Sequence, residues 1–237
     1  MAGPDLTPPN RERAFNAPWP LLVLVGAILA LYLIQSRIGA DWPDRFGLRP
    51  ADVQVGRVFG LLTYVGVHDG WLHAGSNAIG ALAFGAPLSR RLGESVRGAS
   101  ILVAFFLVCG VLSGAVYALV HPGSPVILIG ASGAVFGLIG AATRLMNPWG
   151  RLDPLRSRRV LAMSAALIGA NLLVGVLGFD PATGVRGIAW EAHIFGLVCG
   201  LLLVGPLLRL AALAPPIAPV EPPPPPGPWN SADSERR

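Results

Sequence analysis

One serine, two histidines and one asparagine of this chain lie in stretches that are otherwise apolar. Ser132 stands in the run Gly130-Ala131-Ser132-Gly133, His193 lies in a later stretch, and His73 and Asn77 share an earlier one. A hydroxyl beside an imidazole can form a nucleophile and a general base, and further polar donors can stabilise an oxyanion. Because such groups are costly in hydrocarbon, they predict a hydrolytic site built inside a membrane.

The stretches that carry these residues are long enough to cross a membrane. Of the 237 residues, 53% are hydrophobic and only 13% are charged, whereas a soluble domain has about 25% charged residues. Six stretches are nearly free of Asp, Glu and Arg and reach the ~17–25 residues of a spanning helix. They are Pro18–Ser36, Trp71–Ser89, Ala99–Val120, Val126–Thr143, Val160–Phe179 and Gly187–Leu208. We predict an all-α polytopic membrane protein with a bundle of six transmembrane helices.

The basic residues are distributed unevenly along the chain. All 18 are arginines, and most lie in the N-terminal arm, the second and fourth connections and the C-terminal end. Cytoplasmic loops carry an excess of Lys and Arg, so both termini are predicted to be cytoplasmic. The net charge of +5 then reflects orientation in the bilayer, and we expect no nucleic-acid partner. Arginine without lysine, with abundant Ala and Gly, indicates a GC-rich bacterial genome and hence an inner-membrane location.

Composition divides the chain into three parts. Residues 1–17 are predicted to form a cytoplasmic arm, 18–209 the six-helix membrane domain, and 210–237 a Pro-rich, disordered cytoplasmic tail. The first connection, about Arg37 to Gly70, is the longest and contains several aromatic residues. A loop of this length and content is expected to be a partly submerged structure rather than a plain solvated linker.

The second, fourth and sixth helices of this topology all run from the outside inward. Their polar residues occur early in each segment, about 10 Å below the outer surface at ~1.5 Å per residue. Small residues four apart allow two helix backbones to touch. They are Gly133 and Gly137 in the fourth segment, and Ala192, Gly196 and Gly200 in the sixth. We expect this packing to bring the serine hydroxyl within reach of the imidazole.

His193 is predicted to act as the general base for the Ser132 hydroxyl. The segments offer no well-placed carboxylate as a third member. Glu191 is close in sequence, but two residues along a helix place it on a different face. A Ser–His dyad is therefore favoured over a triad.

The oxyanion of such a reaction needs donors. His73 and Asn77 are four residues apart and share a helix face. With the Ser132 backbone N–H they could converge on the developing negative charge, and a helix beginning at Ser132 would add a favourable field. Hydrolysis at this depth also needs water. We expect His68 and Ser76, with His73 and Asn77, to line a wet cavity that opens outward.

Each of these residues alone has a structural interpretation. A Gly-x-Ser-Gly run is common by chance, and a membrane serine usually bonds to its own helix. A single intramembrane His or Asn more often joins helices or belongs to a transport path. Cys109 and Cys199 lack metal-ligand spacing, so we expect neither a metal site nor a disulfide. The combination of residues is far more specific than any member.

Three motifs of this chain, in this order, resemble those of the rhomboid intramembrane serine proteases. His68-Asp69-Gly70-Trp71-Leu72-His73-Ala74-Gly75-Ser76-Asn77 is similar to the family's H-x-x-x-x-H-x-x-x-N segment. Gly130-Ala131-Ser132-Gly133 is similar to its G-x-S-G segment, and Ala192-His193-Ile194-Phe195-Gly196 to its A-H-x-x-G segment. The resemblance extends over roughly Asn16 to Leu208.

The resemblance implies a six-helix rhomboid-like bundle with Ser132 as nucleophile, His193 as base, and His73 with Asn77 in the oxyanion hole. It also implies cleavage of other proteins' transmembrane segments near their outer ends. Phe136 stands where the family often has a tyrosine stacked on the base. We expect no cofactor. Two alternatives stay open: a non-proteolytic relative that binds or sorts transmembrane helices, and a transporter, which would predict charged residues at mid-depth or helices broken by proline.

Overall fold

The computed structural model describes residues 17–39, 41–147, 151–178 and 189–213. Within these ranges the chain is helical, with one isolated β-bridge. Its α-helices are α1 (Trp19–Ile38), α2 (Trp42–Phe46), α3 (Pro50–Gln54), α4 (Gly60–Thr63), α5 (Trp71–Leu92), α6 (Val96–Val120), α7 (Ser132–Leu145), α8 (Arg158–Leu177) and α9 (Trp190–Leu213). A 3-10 turn, Tyr64–Gly66, precedes α5. Almost all of the predicted arm and most of the predicted tail lie outside the described residues.

Four of these helices are long and apolar enough to cross a membrane. They are α1, α6, α8 and α9, which have 20 to 25 residues and mean hydropathies of 2.1 to 2.4. The prediction of a multi-pass, all-helical membrane protein is therefore confirmed. The second predicted segment forms α5, which has 22 residues but is more polar. The fourth forms α7, which has only 14.

α7 is shorter than the predicted segment because residues 126–131 are not helical. At ~1.5 Å per residue it is ~21 Å long, less than the ~30 Å of a hydrocarbon core. Eleven of its 14 residues are buried, and α5, α6 and α9 surround it. Irregular backbone at membrane depth is tolerated where protein covers it. A short central helix preceded by an extended segment is therefore compatible with the bilayer.

The backbones of α7 and α9 touch. A Cβ added to Gly196 would lie 2.0 Å from the Gly133 carbonyl oxygen, and one added to Gly200 would lie 1.9 Å from the Gly137 carbonyl oxygen. No side chain fits at such distances, so glycine is required at both positions of α9. The predicted close approach of these two helices through their small residues is confirmed.

α6 packs on the same pair of helices. The Ser113 hydroxyl of α6 donates a hydrogen bond to the Ala192 carbonyl of α9 at 2.6 Å. The same hydroxyl lies 2.5 Å from where a Cβ on Gly133 would stand. Ser113 of α6 therefore contacts both α7 and α9, and its contact on α9 is Ala192, the residue before His193.

The opposite end of α7 is fixed by a buried arginine. Arg144, in the last turn of α7, donates from Nη1 to the Leu201 carbonyl of α9 at 2.7 Å and from Nε to the Asp153 carbonyl at 2.9 Å. The guanidinium thus ties the end of α7 to α9 and to the connection that follows it.

The first connection is structured, as predicted. It forms α2, α3 and α4, and Leu48 exchanges two backbone hydrogen bonds with Leu128 at 2.9 and 2.8 Å. The Thr63 hydroxyl donates to the Phe46 carbonyl at 2.7 Å and closes α4 onto α2. The bridge to Leu128 connects this loop to the segment that leads into α7.

We predict that Gly196→Ala destabilises the bundle. The added methyl group would meet backbone rather than a flexible side chain, and overpacking of this kind costs ~1–3 kcal/mol. The matched control is Gly169→Ala in α8, where an added Cβ meets nothing within 4 Å. Thermal unfolding in detergent should give a lower midpoint for Gly196→Ala and an equal or higher one for Gly169→Ala. A midpoint equal to wild type in Gly196→Ala would contradict the tight contact.

Candidate active site

Ser132 is the first residue of α7, and the backbone before it determines where the helix begins. Gly130 has φ +110°, a left-handed conformation that favours glycine. A Cβ at Gly130 would also lie 2.6 Å from His73 Nε2. The Gly130 N–H donates to the Tyr64 carbonyl at 2.9 Å. The chain therefore turns tightly against His73, and Ser132 stands at a helix N-terminus, where the partial positive charge favours an anion.

His193 lies in the first turn of α9 and its ring is stacked on Phe136. The two ring centroids are 4.4 Å apart and the planes differ by 5°. Phe136 is one turn after Ser132 in α7 and therefore lies on the same helix face. Since Gly196 contacts Gly133 one turn below, the imidazole lies over the turn of α7 that begins with the serine.

A side chain of α8 contacts His193. His193 Nδ1 lies 3.0 Å from Asn171 Oδ1 of α8, and Asn171 is itself buried. The Asn171 amide nitrogen donates to the Leu167 carbonyl at 2.9 Å. The sequence prediction considered only carboxylates as a third member and missed this residue. The signal was present, because Asn171 is an amide in the middle of an apolar stretch.

His73 and Asn77 lie in the first two turns of α5. The Asn77 amide nitrogen donates one hydrogen bond, to the His73 carbonyl at 3.0 Å, and has a second hydrogen to donate. His73 Nδ1 lies 3.6 Å from an Asp69 carboxylate oxygen. Both predicted oxyanion residues therefore have defined partners, and Asn77 is nearly fully buried.

These side chains share one cavity of about 540 Å³. Its walls include most of the residues that the sequence predicted for the site: Ser132, His193, His73, Asn77, Ser76 and Phe136. The structure also adds polar residues that were not predicted there, Asp69, Tyr117 and Glu191. Residues of three helices that are distant in sequence thus face the same space, which is the arrangement a shared site needs.

His68 is the exception, and its predicted place in the cavity wall is wrong. Its side chain is completely buried behind His73, with the two ring centroids 5.1 Å apart. His68 Nε2 accepts a hydrogen bond from the Ala131 N–H at 3.4 Å. His68 therefore supports the segment before Ser132 from behind instead of contacting solvent. Sequence spacing predicted the depth of His68 in the membrane, but it could not show whether the side chain faces the cavity or the protein interior.

A model of the Rhomboid domain matches residues 55–210 of this chain. The chain belongs to the rhomboid family. No curated protein is similar enough to count as a match. Rhomboid proteins are generally intramembrane serine proteases that act on transmembrane substrates, and some members are inactive. The predicted family is therefore confirmed, and this rhomboid is a multi-pass membrane protein.

Two further polar residues that sequence reasoning missed support the site of this rhomboid. Gln35, near the end of α1, accepts from the His68 N–H at 3.0 Å and donates to the His68 carbonyl. Tyr64 donates from its hydroxyl to the Gly110 carbonyl of α6 at 2.7 Å, and its own carbonyl accepts from Gly130. Gln35 could have been noticed as a polar residue at the end of an apolar segment. The contact between Gln35 and His68 could not have been predicted, because no local sequence pattern relates the two residues.

Burial lowers the pKa of His68 to about 4, and the nearby His73 contributes in the same direction. The neutral form is therefore favoured in the fold, while the unfolded chain takes up a proton near pH 6.5. The stability linked to His68 is complete above pH 6.5 and is lost as the pH falls towards 4.

We predict that this acid loss of stability reaches about 3 kcal/mol and that it disappears in His68→Gln. Glutamine can still accept the Ala131 N–H but does not titrate. Denaturant unfolding of both proteins at pH 7.5 and pH 4.5 measures the difference. If His68→Gln loses as much unfolding free energy between pH 7.5 and pH 4.5 as the wild type, groups other than His68 cause the loss.

Proposed function

We propose that this rhomboid is an intramembrane serine endopeptidase in which Ser132 is the nucleophile and His193 the general base. The observation that carries the proposal is the shared cavity, into which a serine at a helix N-terminus and a stacked histidine of another helix both face. Family membership supports the same conclusion, because rhomboids are generally serine proteases.

The chemistry follows the residues of the cavity. Ser132 Oγ attacks the carbonyl carbon of the scissile bond while its proton passes to His193 Nε2. The imidazolium then returns this proton to the leaving amine, and an acyl-enzyme remains on Ser132. A water molecule, deprotonated by the same imidazole, attacks the ester; the imidazolium then returns the proton to Ser132 Oγ as the carboxylic acid is released. The base thus acts twice, and no other group needs to change its protonation state.

The oxyanion of each tetrahedral intermediate is stabilised by donors from α5 and α7. The second Asn77 amide hydrogen, the His73 imidazole and the Ser132 backbone N–H are the donors in this proposal. Support comes from the contact between His73 and Gly130, which holds the imidazole against the turn before Ser132. The field of the α7 N-terminus acts in the same direction.

The substrates in this proposal are transmembrane segments of other proteins, cut near their outer ends. We infer six membrane segments in residues 18–209, the fourth made of the non-helical residues 126–131 together with α7, and from the arginine distribution we infer that both termini are cytoplasmic. Since α7 is ~21 Å long and its last turn carries Arg144, a helix anchored at the inner side places Ser132 ~10 Å below the outer surface. Polar residues of the cavity wall, among them Asp69 and Glu191, offer a path for water.

The first test of this proposal is labelling by a serine-directed fluorophosphonate in proteoliposomes. We expect the wild type to be labelled, Ser132→Ala not at all, and His193→Ala far more slowly. A non-proteolytic rhomboid that binds or sorts transmembrane helices would show no specific label and would retain its partners in both variants. Comparison of membrane-protein fragments from cells with wild type or Ser132→Ala would then identify the substrates.

The second test concerns the oxyanion donors. We expect Asn77→Ala and His73→Ala each to lower the labelling or cleavage rate ~10²–10³-fold, because each removes one donor to the developing charge. Ser76→Ala is the matched control, since the Ser76 hydroxyl lines the same cavity but donates to its own helix, to the His73 carbonyl at 2.9 Å. Rates within a few fold of wild type in the first two variants would remove these residues from the oxyanion hole.

A further inference from the structure

α8 contributes very little side-chain surface to the interior. Within this helix, only Val160 and Asn171 are buried. Asn171 is thus a buried polar amide in the middle of a mostly apolar helix whose neighbouring core contacts, Leu167 and Ile168, are only partly buried. Burying an amide costs free energy unless its hydrogen bonds are made. Here both ends of the amide have partners, the Leu167 carbonyl and His193 Nδ1.

These two contacts determine which atom of the amide faces the histidine. The Leu167 carbonyl can only accept, so the amide nitrogen faces it and Oδ1 faces the imidazole. An oxygen acceptor at 3.0 Å requires a proton on Nδ1. Nε2 of the neutral ring then carries the lone pair. This is the tautomer that a general base needs if Nε2 is to accept the serine proton.

The stacking partner cannot supply this selection. Phe136 fixes the plane of the His193 ring, but a stacked ring turned over by half a rotation makes nearly the same contact. This half rotation of the ring would place carbon atoms where Nδ1 and Nε2 now lie. A directional hydrogen bond to one nitrogen favours a single orientation, and Asn171 Oδ1 provides that bond.

We propose that Asn171 is the positioning residue of the base, holding His193 in the Nδ1–H tautomer with Nε2 towards Ser132. This proposal rests on the peptidase function above. It makes the arrangement a Ser–His–Asn series across α7, α9 and α8 rather than a dyad. A neutral amide suits this place, because a carboxylate would add an uncompensated charge to a low-dielectric site.

The test uses the full-length protein in proteoliposomes and the fluorophosphonate probe. Asn171→Leu keeps the volume and removes the acceptor. We expect its maximal inactivation rate to fall about tenfold to a hundredfold, with the half-saturating probe concentration unchanged. Ser164→Ala is the control, because Ser164 lies two turns away in α8 and its hydroxyl has no hydrogen-bond partner among the described residues. We expect Ser164→Ala to match the wild type.

Asn171→Asp keeps an acceptor for Nδ1–H. We expect this variant to retain most of the rate, with the acid limb of its pH–rate profile moved to higher pH because a carboxylate stabilises the protonated imidazole. If Asn171→Leu does not fold, this variant decides alone: a rate more than a hundredfold below wild type would overturn the proposal. A wild-type rate in a folded Asn171→Leu protein would overturn it as well.

A readout that does not need activity separates this proposal from the proposed function. In ¹⁵N-histidine NMR spectra, with His193 assigned by the loss of its signal in His193→Gln, we expect Nδ1 to be protonated in the wild type and the tautomers to mix in Asn171→Leu. A protein that shows this tautomer but no labelling would contradict the peptidase and keep the positioning role. A labelled wild type with the same tautomer in both proteins would contradict the positioning role alone.

Discussion

The backbone contact between α7 and α9 is the constraint on which the remaining structure depends. Gly196 and Gly200 let α9 approach the carbonyl oxygens of α7. The first turns of the two helices are therefore in direct backbone contact. One residue before Gly133 is the serine, and three residues before Gly196 is the histidine. Ser132 and His193 are brought together by the absence of side chains at the neighbouring glycines, and α6 packs on the same layer through Ser113.

The tight packing of α6, α7 and α9 leaves α7 surrounded by protein. This burial also affects the structure of the loops. A helix covered on all sides need not span the bilayer, so the segment before it is free to be extended and to pair with Leu48. The polar atoms of that segment then need partners inside the molecule. His68 accepts from Ala131, and Gln35 of α1 fixes the His68 backbone from the other side. The position of Ser132 thus depends on the first helix and first loop as well as on its own helix.

The sequence alone predicted those features that depend on local pattern. Hydropathy gave the helices, residue spacing gave the touching faces, and the motifs gave the residues of the cavity. Hydropathy could not separate a helix from a buried extended strand, so α7 was predicted too long. It also could not show that His68 faces inward, or that Asn171 meets His193, because both depend on which distant element packs against them. Tertiary partners of single polar residues leave little trace in one sequence.

The distance between Ser132 and His193 and the orientation of the His193 ring are set by different parts of the molecule. The distance follows from a backbone contact that only a shift of whole helices can change. The orientation follows from a side chain of α8, a helix with only two fully buried residues, which contacts α9 at Asn171 and at Gly175 beside the Trp190 ring. A displacement of α8 would therefore leave Ser132 and His193 adjacent while releasing the imidazole from its hydrogen bond. The approach of the two helices and the orientation of the imidazole therefore depend on different contacts.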